Sequence, residues 1–597
     1  MVMASEEEKS IQDVLSLPIL LAERVIKSTQ EAESFKPENS DLARQVTQLS
    51  QLLRSAARLT TTSAAFYDRP IRRVAVDITK ALDRVLTLAR KCRHRKTNVL
   101  HHVLSITTAA DFKKVSALLD SSLADIKWVL SILNPDSSGC GPALPPIATT
   151  DPILAWVWPA VAAAHMGRAE AALELASWAS GNDSNDRNKK VIAEENGIPP
   201  LLKMLKDSSN VDGQSAAATA LCNLADDQGR VKIIADKSGV QIIAKALSEA
   251  PAPVQVILVT LVSKMSELDT SVQEEFGREN VTRPLVTLLS MDVELEEFVE
   301  ANARKSANTL PSLVQINKEM TKKRSGGSSE GRREAEAEAK PPEVNSRLKI
   351  SCAAALWILA RRSLLNSGKI TDTKALLVLA KIIEKEQGEL KVNCLKVVME
   401  LAAVAESNAE LKRAAFKPTS TAAKAVFDQL LRVINEETSP AMVIPAVRAI
   451  GCLASMFPAK EKRIVQSLVL QLGHRSSDDV AAETAKALSK FVCDENYNRR
   501  EHSEAIIEFD GVQKLMNLLR SHDRRGGALR LHELVLLCNL ASNAGNSKAL
   551  EQARALSVLE GAARHAVTQH PHLRELFAKA IHHLTIYQAG PHAHRHA

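Results

Sequence analysis

Apolar positions recur along most of this chain with the spacing of amphipathic helices rather than the alternation of strands. Similar apolar segments follow one another: GIPPLLKML begins at Gly197, GVQIIAKAL at Gly239 and NVTRPLVTLL at Asn280. The two steps between these starting positions are nearly equal, and GVQKLMNLL repeats the pattern at Gly511. A period of roughly 42 residues predicts a tandem array of small helical units.

A second apolar helix follows the first at a matching offset. Its copies are ATALCNLA (218–225), TLVSKMSE (260–267), AAALWILA (353–360), LKVVMELA (395–402), VRAIGCLA (447–454), AKALSKFV (485–492) and LVLLCNLA (534–541). A short helix such as NKKVIAEEN precedes the first helix of a unit. Three helices in one such period are typical of the armadillo unit, whose apolar face is buried only when neighbours stack. The pattern therefore predicts an all-α protein whose repeats form an armadillo-type right-handed superhelix, an α-solenoid.

Residues 1–133 lack this period, and their apolar positions predict a separate N-terminal helical bundle. Stop signals at FKPENSD, YDRP and RHRKTN divide the bundle into four amphipathic helices. We expect these helices at about 8–34, 39–66, 68–94 and 99–133.

Three further segments have the composition of connections or ends. The Pro- and Gly-rich residues 134–152 predict a linker, after which armadillo repeats, about nine in number, fill residues 153–588. The charged residues 317–346 contain few apolar side chains and predict a disordered insert within the array. The His-rich residues 589–597 predict a disordered tail.

The composition supports helices and a cytoplasmic location. The 597 residues are 45% hydrophobic but only 3% aromatic, whereas large sheets favour β-branched and aromatic residues. The net charge of +7 is small for this length and does not by itself indicate a nucleic-acid partner. The eight cysteines form no CxxC motif, which favours a reduced, intracellular protein. The most apolar segment, Ile153–Met166, is too short to span a bilayer, so we expect a buried helix there.

The sequence lacks two motifs of common catalytic sites: there is no GxxxxGK(S/T) loop and no HExxH pair. We therefore expect no enzymatic activity, catalytic residue, cofactor or small-molecule substrate. The histidines of the tail offer only weak chelation, and we expect no metal site.

Asn223 is a polar residue inside an otherwise apolar helix copy, where an unpaired amide costs free energy. The third helix of an armadillo unit lines a groove, and an asparagine there can bind the main chain of an extended peptide. Because residues four apart share a helix face, aligning the copies predicts a ridge along this groove. The predicted protein-binding residues are Thr219, Asn223, Thr260, Lys264, Lys396, Arg448, Lys486, Lys490 and Asn539.

The ridge contains five cations against Glu400, a balance of +4. This charge predicts a partner segment rich in Asp and Glu, with Asn223 and Asn539 clamping its main chain. The alternative is that Asn223 bonds a neighbouring loop of the same protein and that the lysines form a solvated face.

A second basic cluster lies near the end of the third predicted bundle helix. The segment RKCRHRK offers Arg90, Lys91, Arg93, Arg95 and Lys96, which predict peripheral contact with anionic lipid headgroups. The alternative is a solvated helix end, whose cations complement the helix dipole. Aromatic residues for base stacking are absent nearby, so we expect no nucleic-acid partner.

The blocks NDRNKK, ALCNLADDQ and EFGRENVTRPLVTLLS, together with DPILAWVWPAVAAAHMGRAEAALELASWASGN before them, resemble the plant armadillo-repeat-only family. The likeness extends over most of the chain. It implies an N-terminal bundle followed by repeats and no catalytic domain. It also implies a scaffold for polarised (tip) growth, linked to Rho-of-plants GTPase signalling, to GTPase regulators, and to actin and vesicle traffic. The expected location is the cytoplasm, with recruitment to the plasma membrane at growth sites and the nucleus as an alternative.

Two other kinds of armadillo protein are alternatives. A nuclear transport adaptor of the importin-α type places Trp four residues before the groove asparagine, where this chain has Thr219 and Val535, and Trp357 is one position out of register. A basic ridge would also repel a basic cargo. A ubiquitin ligase would carry a U-box, for which residues 134–152 are too short.

Overall fold

The computed structural model describes residues 10–62, 67–93, 108–133, 152–181, 186–207, 209–293, 342–473, 477–523 and 531–593. Within these ranges the regular structure is helical and contains no strand. Two compact units, Met1–Leu261 and Val262–Ala597, have their own internal contacts and are described separately. No helix in the described ranges has both the length and the apolar character needed to cross a membrane.

The first unit begins with four long helices, α1 to α4, that pack as a bundle. Helix α1 packs against α2 and α3, and α4 also packs against α2 and α3. Their bounds are α1 Ile11–Gln30, α2 Lys36–Thr62, α3 Arg69–Arg93 and α4 Ala109–Leu133. The side chain of Ser10 caps α1 by accepting from the backbone N–H of Asp13 at 3.1 Å. In α3, Ile71, Ile78 and Leu82 are fully buried at helical spacing. Helices α1, α2 and α3 lie within a few residues of their predicted bounds. Helix α4 begins at Ala109, later than the predicted start at residue 99, and residues 99–107 of that prediction lie outside the described ranges.

Shorter helices follow in the first unit, and a further helix crosses the boundary between the units. They are α5 Pro152–His165, α6 Ala169–Trp178, α7 Asp186–Glu194, α8 Ile198–Lys206, α9 Val211–Leu224, α10 Gln228–Asp236, α11 Gly239–Glu249 and α12 Ala252–Leu268. Helix α6 packs against α9, and α8 packs against both α9 and α11. This arrangement is the stack of helical repeats that the period predicts.

Three of the four repeated segments open with a glycine, and this glycine has a steric reason. The chain turns sharply there, and the N–H of Gly197 donates to the carbonyl of Ile192 at 2.9 Å. A Cβ atom would lie 2.9 Å from that carbonyl at Gly197, 2.3 Å from the carbonyl of Ile234 at Gly239, and 2.7 Å from that of Ile506 at Gly511. The repeated glycine therefore marks a close backbone approach that other residues cannot make without a shift.

The second unit continues with α13 and the helices that follow. Their bounds are α13 Thr270–Arg278, α14 Thr282–Leu289, α15 Pro342–Ala360, α16 Leu364–Asp372, α17 Ala375–Lys385, α18 Gly388–Ser407, α19 Ala409–Ala415, α20 Thr421–Glu436, α21 Pro440–Cys452, α22 Lys462–Gly473, α23 Asp478–Val492, α24 Arg499–Glu508, α25 Gly511–Asp523, α26 Leu531–Ala544, α27 Lys548–Gln552, α28 Ala555–Gln569 and α29 Arg574–Ala593. Single 3₁₀ turns occur at Ala454–Met456 and Pro571–Leu573.

Helices of the second unit stack in two layers. In one layer α15, α18, α21, α23, α26 and α29 each pack on the next, and in the other α17, α20, α22 and α25 do the same. The rings of Phe427, Phe457 and Phe491 contact one another in the core, with centroids 5.0 and 5.9 Å apart. Each helix pair therefore buries its apolar side against its neighbours, and the prediction of an all-α solenoid is confirmed.

The repeats on either side of residues 294–341 pack directly against each other. The side-chain amide of Gln273 on α13 donates to the carbonyl of Ile358 at 2.8 Å, at the end of α15. Asn366 on α16 donates to the carbonyl of Gln273 at 3.1 Å. The stack of the second unit therefore continues from one side of this segment to the other.

Several predicted connections differ from the structure or lie outside it. Residues 134–151 of the linker and 317–341 of the insert lie outside the described residues. Helix α15 begins at Pro342, so the last residues of the predicted insert 317–346 are helical, because proline suits the first turn of a helix. Helix α29 runs to Ala593, beyond the predicted start of a disordered tail, because its packed part propagates the helix; the final four residues are not described.

Candidate functional site

The third-helix layer of the second unit carries most of the predicted ridge. We define the charged strip as the surface residues Trp357 on α15; Lys396, Glu400 and Glu406 on α18; Arg448 on α21; and Glu483, Lys486 and Lys490 on α23. Successive helices of this layer pack side by side, so their surface residues form neighbouring rows. Lys264, on the part of α12 that belongs to the second unit, is half-buried.

Trp357 and Lys396 form a cation–π contact at one end of the strip. The Lys396 ammonium lies 4.2 Å from the centroid of the Trp357 ring. In the aligned copies Trp357 is one position out of register with the groove asparagine. Its ring nevertheless contacts Lys396, because one face of a helix includes more than one register position.

Arg448 and Glu483 form a two-bonded ion pair that joins α21 to α23. The distances are 2.8 Å from Nε to Oε2 and 2.5 Å from Nη2 to Oε1. Burial alone would raise the pKa of Glu483, but the hydrogen bonds and charge of Arg448 outweigh it and hold that pKa below its ordinary value.

Lys490 and Glu406 form a second ion pair, at 2.7 Å, that joins α23 to α18. The Lys490 ammonium also lies 3.5 Å from the Sγ atom of Cys452. Burial raises the pKa of the Cys452 thiol to about 11, so this sulfur stays protonated at neutral pH.

These ion pairs correct the predicted charge of the ridge. The balance of +4 is wrong, because Glu406 and Glu483 lie beside the predicted cations. Both residues fall just outside the copies that were aligned, Glu406 after one copy and Glu483 before another. With these two carboxylates the ridge carries +2.

A cavity of about 330 Å³ opens in the strip between α18, α21 and α23. Its rim consists of the charged side chains Glu400, Glu406, Arg448, Glu483, Lys486 and Lys490. Its apolar lining consists of Met399, Ala403, Gly451, Cys452 and Ala487. The cavity is therefore an apolar recess surrounded by charge.

Glu400 is half-buried at the edge of this cavity. Burial raises the pKa of its carboxyl above the ordinary value, although Trp357, Arg361, Arg362 and Arg448 act in the opposite direction. The positive charges of the three arginines therefore only partly offset the burial of this carboxyl.

The three ridge residues of the first unit already have internal partners. The side-chain amide of Asn223 donates to the carbonyl of Ala176 at 3.0 Å, near the end of α6. The hydroxyls of Thr219 and Thr260 donate to carbonyls four residues earlier in their own helices, at 2.8 and 2.9 Å. For Asn223 the structure has the internal hydrogen bond of the alternative interpretation, made to a neighbouring helix rather than to a loop.

Asn539 and Asn223 are not structural equivalents, although the copies align them. The amide of Asn543, one turn after Asn539, donates to the carbonyl of Val492 at 2.8 Å, at the end of α23. Asn223 and Asn543 are each the last residue but one of their helices, and each bonds the end of the preceding third helix. Asn539 is half-buried on α26. The predicted pairing of Asn223 with Asn539 as a main-chain clamp is therefore wrong. The two residues differ in position because α26 continues for about one turn beyond its LCNLA block, whereas α9 ends within its own.

The predicted lipid cluster is only partly within the described residues. Arg90, Lys91 and Arg93 lie in the last turn of α3, and Arg95 and Lys96 lie outside the described ranges. Arg93 forms an ion pair of 2.8 Å with Glu31. One of the three described cations is therefore already engaged within the bundle.

The described residues form an all-α solenoid of stacked helical repeats, with a charged strip on the third helices of the second unit. Residues 185–226 match the armadillo/β-catenin-like repeat, which covers α7 to α9. Residues 12–134 match a domain of unknown function, DUF7792, which coincides with the four-helix bundle. No curated protein matches the chain.

Several solved structures are similar to the chain. An engineered protein from a structural genomics consortium is 22% identical, with 70% of this chain and 95% of that chain covered and a TM-score of 0.45. A designed armadillo repeat protein in complex with the peptide (KR)4 is 14% identical, with 49% and 99% covered and a TM-score of 0.35. At these scores the likeness does not bear on function.

Proposed function

We propose that this chain is a non-catalytic adaptor that holds a partner polypeptide on the charged strip of its second unit. The observation that carries the proposal is the cavity between α18, α21 and α23, with charged side chains from three successive helices around it. Repeat proteins commonly use such extended surfaces for binding, because neighbouring units present rows of side chains at regular spacing. A cytoplasmic location is part of this proposal.

The charge of the strip favours an acidic partner segment. The pairs Arg448–Glu483 and Lys490–Glu406 contribute no net charge, and the other charged members of the strip are Lys396, Lys486 and Glu400. The remaining excess of positive charge attracts carboxylates and raises the association rate. The main-chain clamp is not part of this proposal, because the Asn223 amide bonds Ala176.

The resemblance to the plant armadillo-repeat-only family suggests which partners to examine. Regulators of Rho-type GTPases at sites of polarised growth, with the actin and vesicle machinery, are the proposed class. The blocks NDRNKK and ALCNLADDQ support this choice, and they fall in or beside the matched armadillo repeat. Recruitment to the plasma membrane follows from the same resemblance.

A capture experiment with the intact chain tests the proposal. Lys396→Glu together with Lys486→Glu reverses two charges on the strip, and Lys381→Glu with Lys424→Glu reverses two on the opposite layer, on α17 and α20. Partners that include Rho-GTPase regulators should be lost from the first variant and kept by the second. Equal capture by both variants would remove the strip as the binding surface.

A further inference from the structure

The charges around the cavity between α18, α21 and α23 cancel. The rim has three cations, Arg448, Lys486 and Lys490, against three carboxylates, Glu400, Glu406 and Glu483. Two cations and two carboxylates already form ion pairs across the helices. A charged side chain that entered the recess would lose its hydration without a net opposite charge to replace it.

The bottom of the cavity is apolar and built from small residues. Gly451 and Ala487 are buried, and Met399 and Ala403 are half-buried beside them. Helices α21 and α23 approach so closely here that a Cβ atom on Gly451 would lie 2.9 Å from the Cα and Cβ atoms of Ala487. The recess therefore exists because small side chains line it.

We propose that this cavity receives one large apolar side chain of the partner segment and that acidic residues flank this anchor. The inference rests on the proposed function and specifies what the partner must contain. A leucine, isoleucine, methionine or phenylalanine suits a recess with apolar walls and no net charge, and such an anchor supplies much of the binding energy of an interface.

The two flanking contacts come from lysines on opposite sides of the recess. Lys486 is exposed on α23 and forms no ion pair within the described part of the chain. Lys396 precedes Met399 by about one turn on α18 and lies over the Trp357 ring. Carboxylates before and after the anchor therefore meet one lysine each, which gives the pattern acidic, apolar, acidic.

Selection from a displayed library of random short peptides, with the intact chain as bait, tests this pattern. Enriched peptides should carry Leu, Ile, Met or Phe between acidic residues. Replacing that anchor by Ala in a synthetic copy of an enriched peptide should weaken binding by roughly ten- to a hundredfold, the affinity that one buried side chain of this size supplies. Enriched peptides that are basic, or whose apolar residue can be replaced without loss, overturn the proposal.

A matched pair of variants locates the anchor. Ala403→Phe fills the recess, and Ala425→Phe makes the same change at a half-buried site on α20, in the other layer. The first variant should lose the enriched peptides and the second should keep them; the opposite result, or no difference, contradicts the proposed site. If Ala403→Phe fails to fold, Ala403→Leu is measured in its place.

The two proposals can fail separately. If charge reversal at Lys396 and Lys486 abolishes partner capture while Ala403→Phe leaves it unchanged, the strip binds the partner and the proposal of an apolar anchor is wrong. If neither change affects capture, the proposal that the strip binds the partner is also wrong.

Discussion

The indole Nε1 of Trp158 donates a hydrogen bond of 2.9 Å to the carboxylate of Glu195, which is fully buried in the first unit. The same carboxylate forms an ion pair with Arg73, and the main-chain carbonyl of Glu195 accepts from the Tyr67 hydroxyl at 2.9 Å. Arg73 and Tyr67 belong to the bundle, whereas Trp158 and Glu195 belong to the repeats. Within the first unit one glutamate therefore joins the bundle to the repeats.

Replacing Glu195 by Ala should destabilise the first unit by about 1–3 kcal/mol, because the indole and the guanidinium lose a buried acceptor. Four of the five tryptophans lie in the first unit, so their fluorescence during urea unfolding reports on it. Glu194→Ala, at the exposed neighbouring position, is the control and should unfold like the unchanged chain. Equal midpoints for both variants would contradict the role given to Glu195.

Removing residues 1–133 should expose apolar surface on the repeats. The Trp158 ring lies 6.0 Å from the Trp128 ring of α4, and the His165 ring lies 5.3 Å from that of Tyr67. The shortened chain loses both contacts, so it should bind the dye ANS and tend to aggregate, as arrays without a terminal cap do. A shortened chain that stays monomeric and binds no dye would show that the bundle is not a cap.

Gly451→Ala should destabilise the second unit by about 1–3 kcal/mol, because the new methyl group overlaps Ala487. Gly561→Ala is the matched change in a helix where the methyl group meets no atom within 4 Å. The second change should stabilise by about 0.5–1 kcal/mol, since alanine favours a helix over glycine. The unfolding midpoints of the two variants should therefore move in opposite directions, and a shift in the same direction would contradict the close approach of α21 and α23.

Asp125 should make the stability of the bundle depend on pH. Burial, with a smaller effect of Asp77, raises the pKa of its carboxyl to about 6. The unfolded chain releases this proton at about pH 4, so the folded state is progressively disfavoured as the pH rises from about 4 to 6. Above that window Asp125→Asn should gain stability, on the order of 1 kcal/mol after allowance for partial exposure, and at about pH 4 it should gain nothing.

The control for this experiment is Asp83→Asn, at an exposed position of α3. Denaturant unfolding at both pH values distinguishes the two variants. A gain for Asp125→Asn that is the same at both pH values would contradict ionisation as the cause.

The fold could be predicted from the sequence because the sequence features that indicate it are local. Helix period and the glycine at positions such as Gly197 and Gly239 depend on residues within one turn, and the four bundle helices have clear stop signals. The predicted ends of the segments were less accurate. Pro342, for example, begins a helix within a segment whose low apolar content predicted disorder. Packing on neighbours, which the local sequence does not contain, decides how far a helix continues.

Only part of the candidate site could be predicted from the sequence, because the site depends on contacts between residues that are distant in the chain. Arg448 was predicted on the ridge, but its partner Glu483 is 35 residues away and lies outside the aligned copies. The Asn223 bond to Ala176 spans 47 residues. A count of charges at one register position cannot include partners that reach the strip from the next turn or the next helix, which is why the predicted +4 was too high.

The most direct test of the account is photo-crosslinking from chosen positions of the intact chain in cells. A photoreactive amino acid at Glu406 lies at the rim of the cavity in the strip, and the same amino acid at Asp428 lies beside the cavity in the opposite layer. The account predicts a crosslinked partner from position 406 and none from position 428. A partner crosslinked from position 428 and not from position 406 would contradict it.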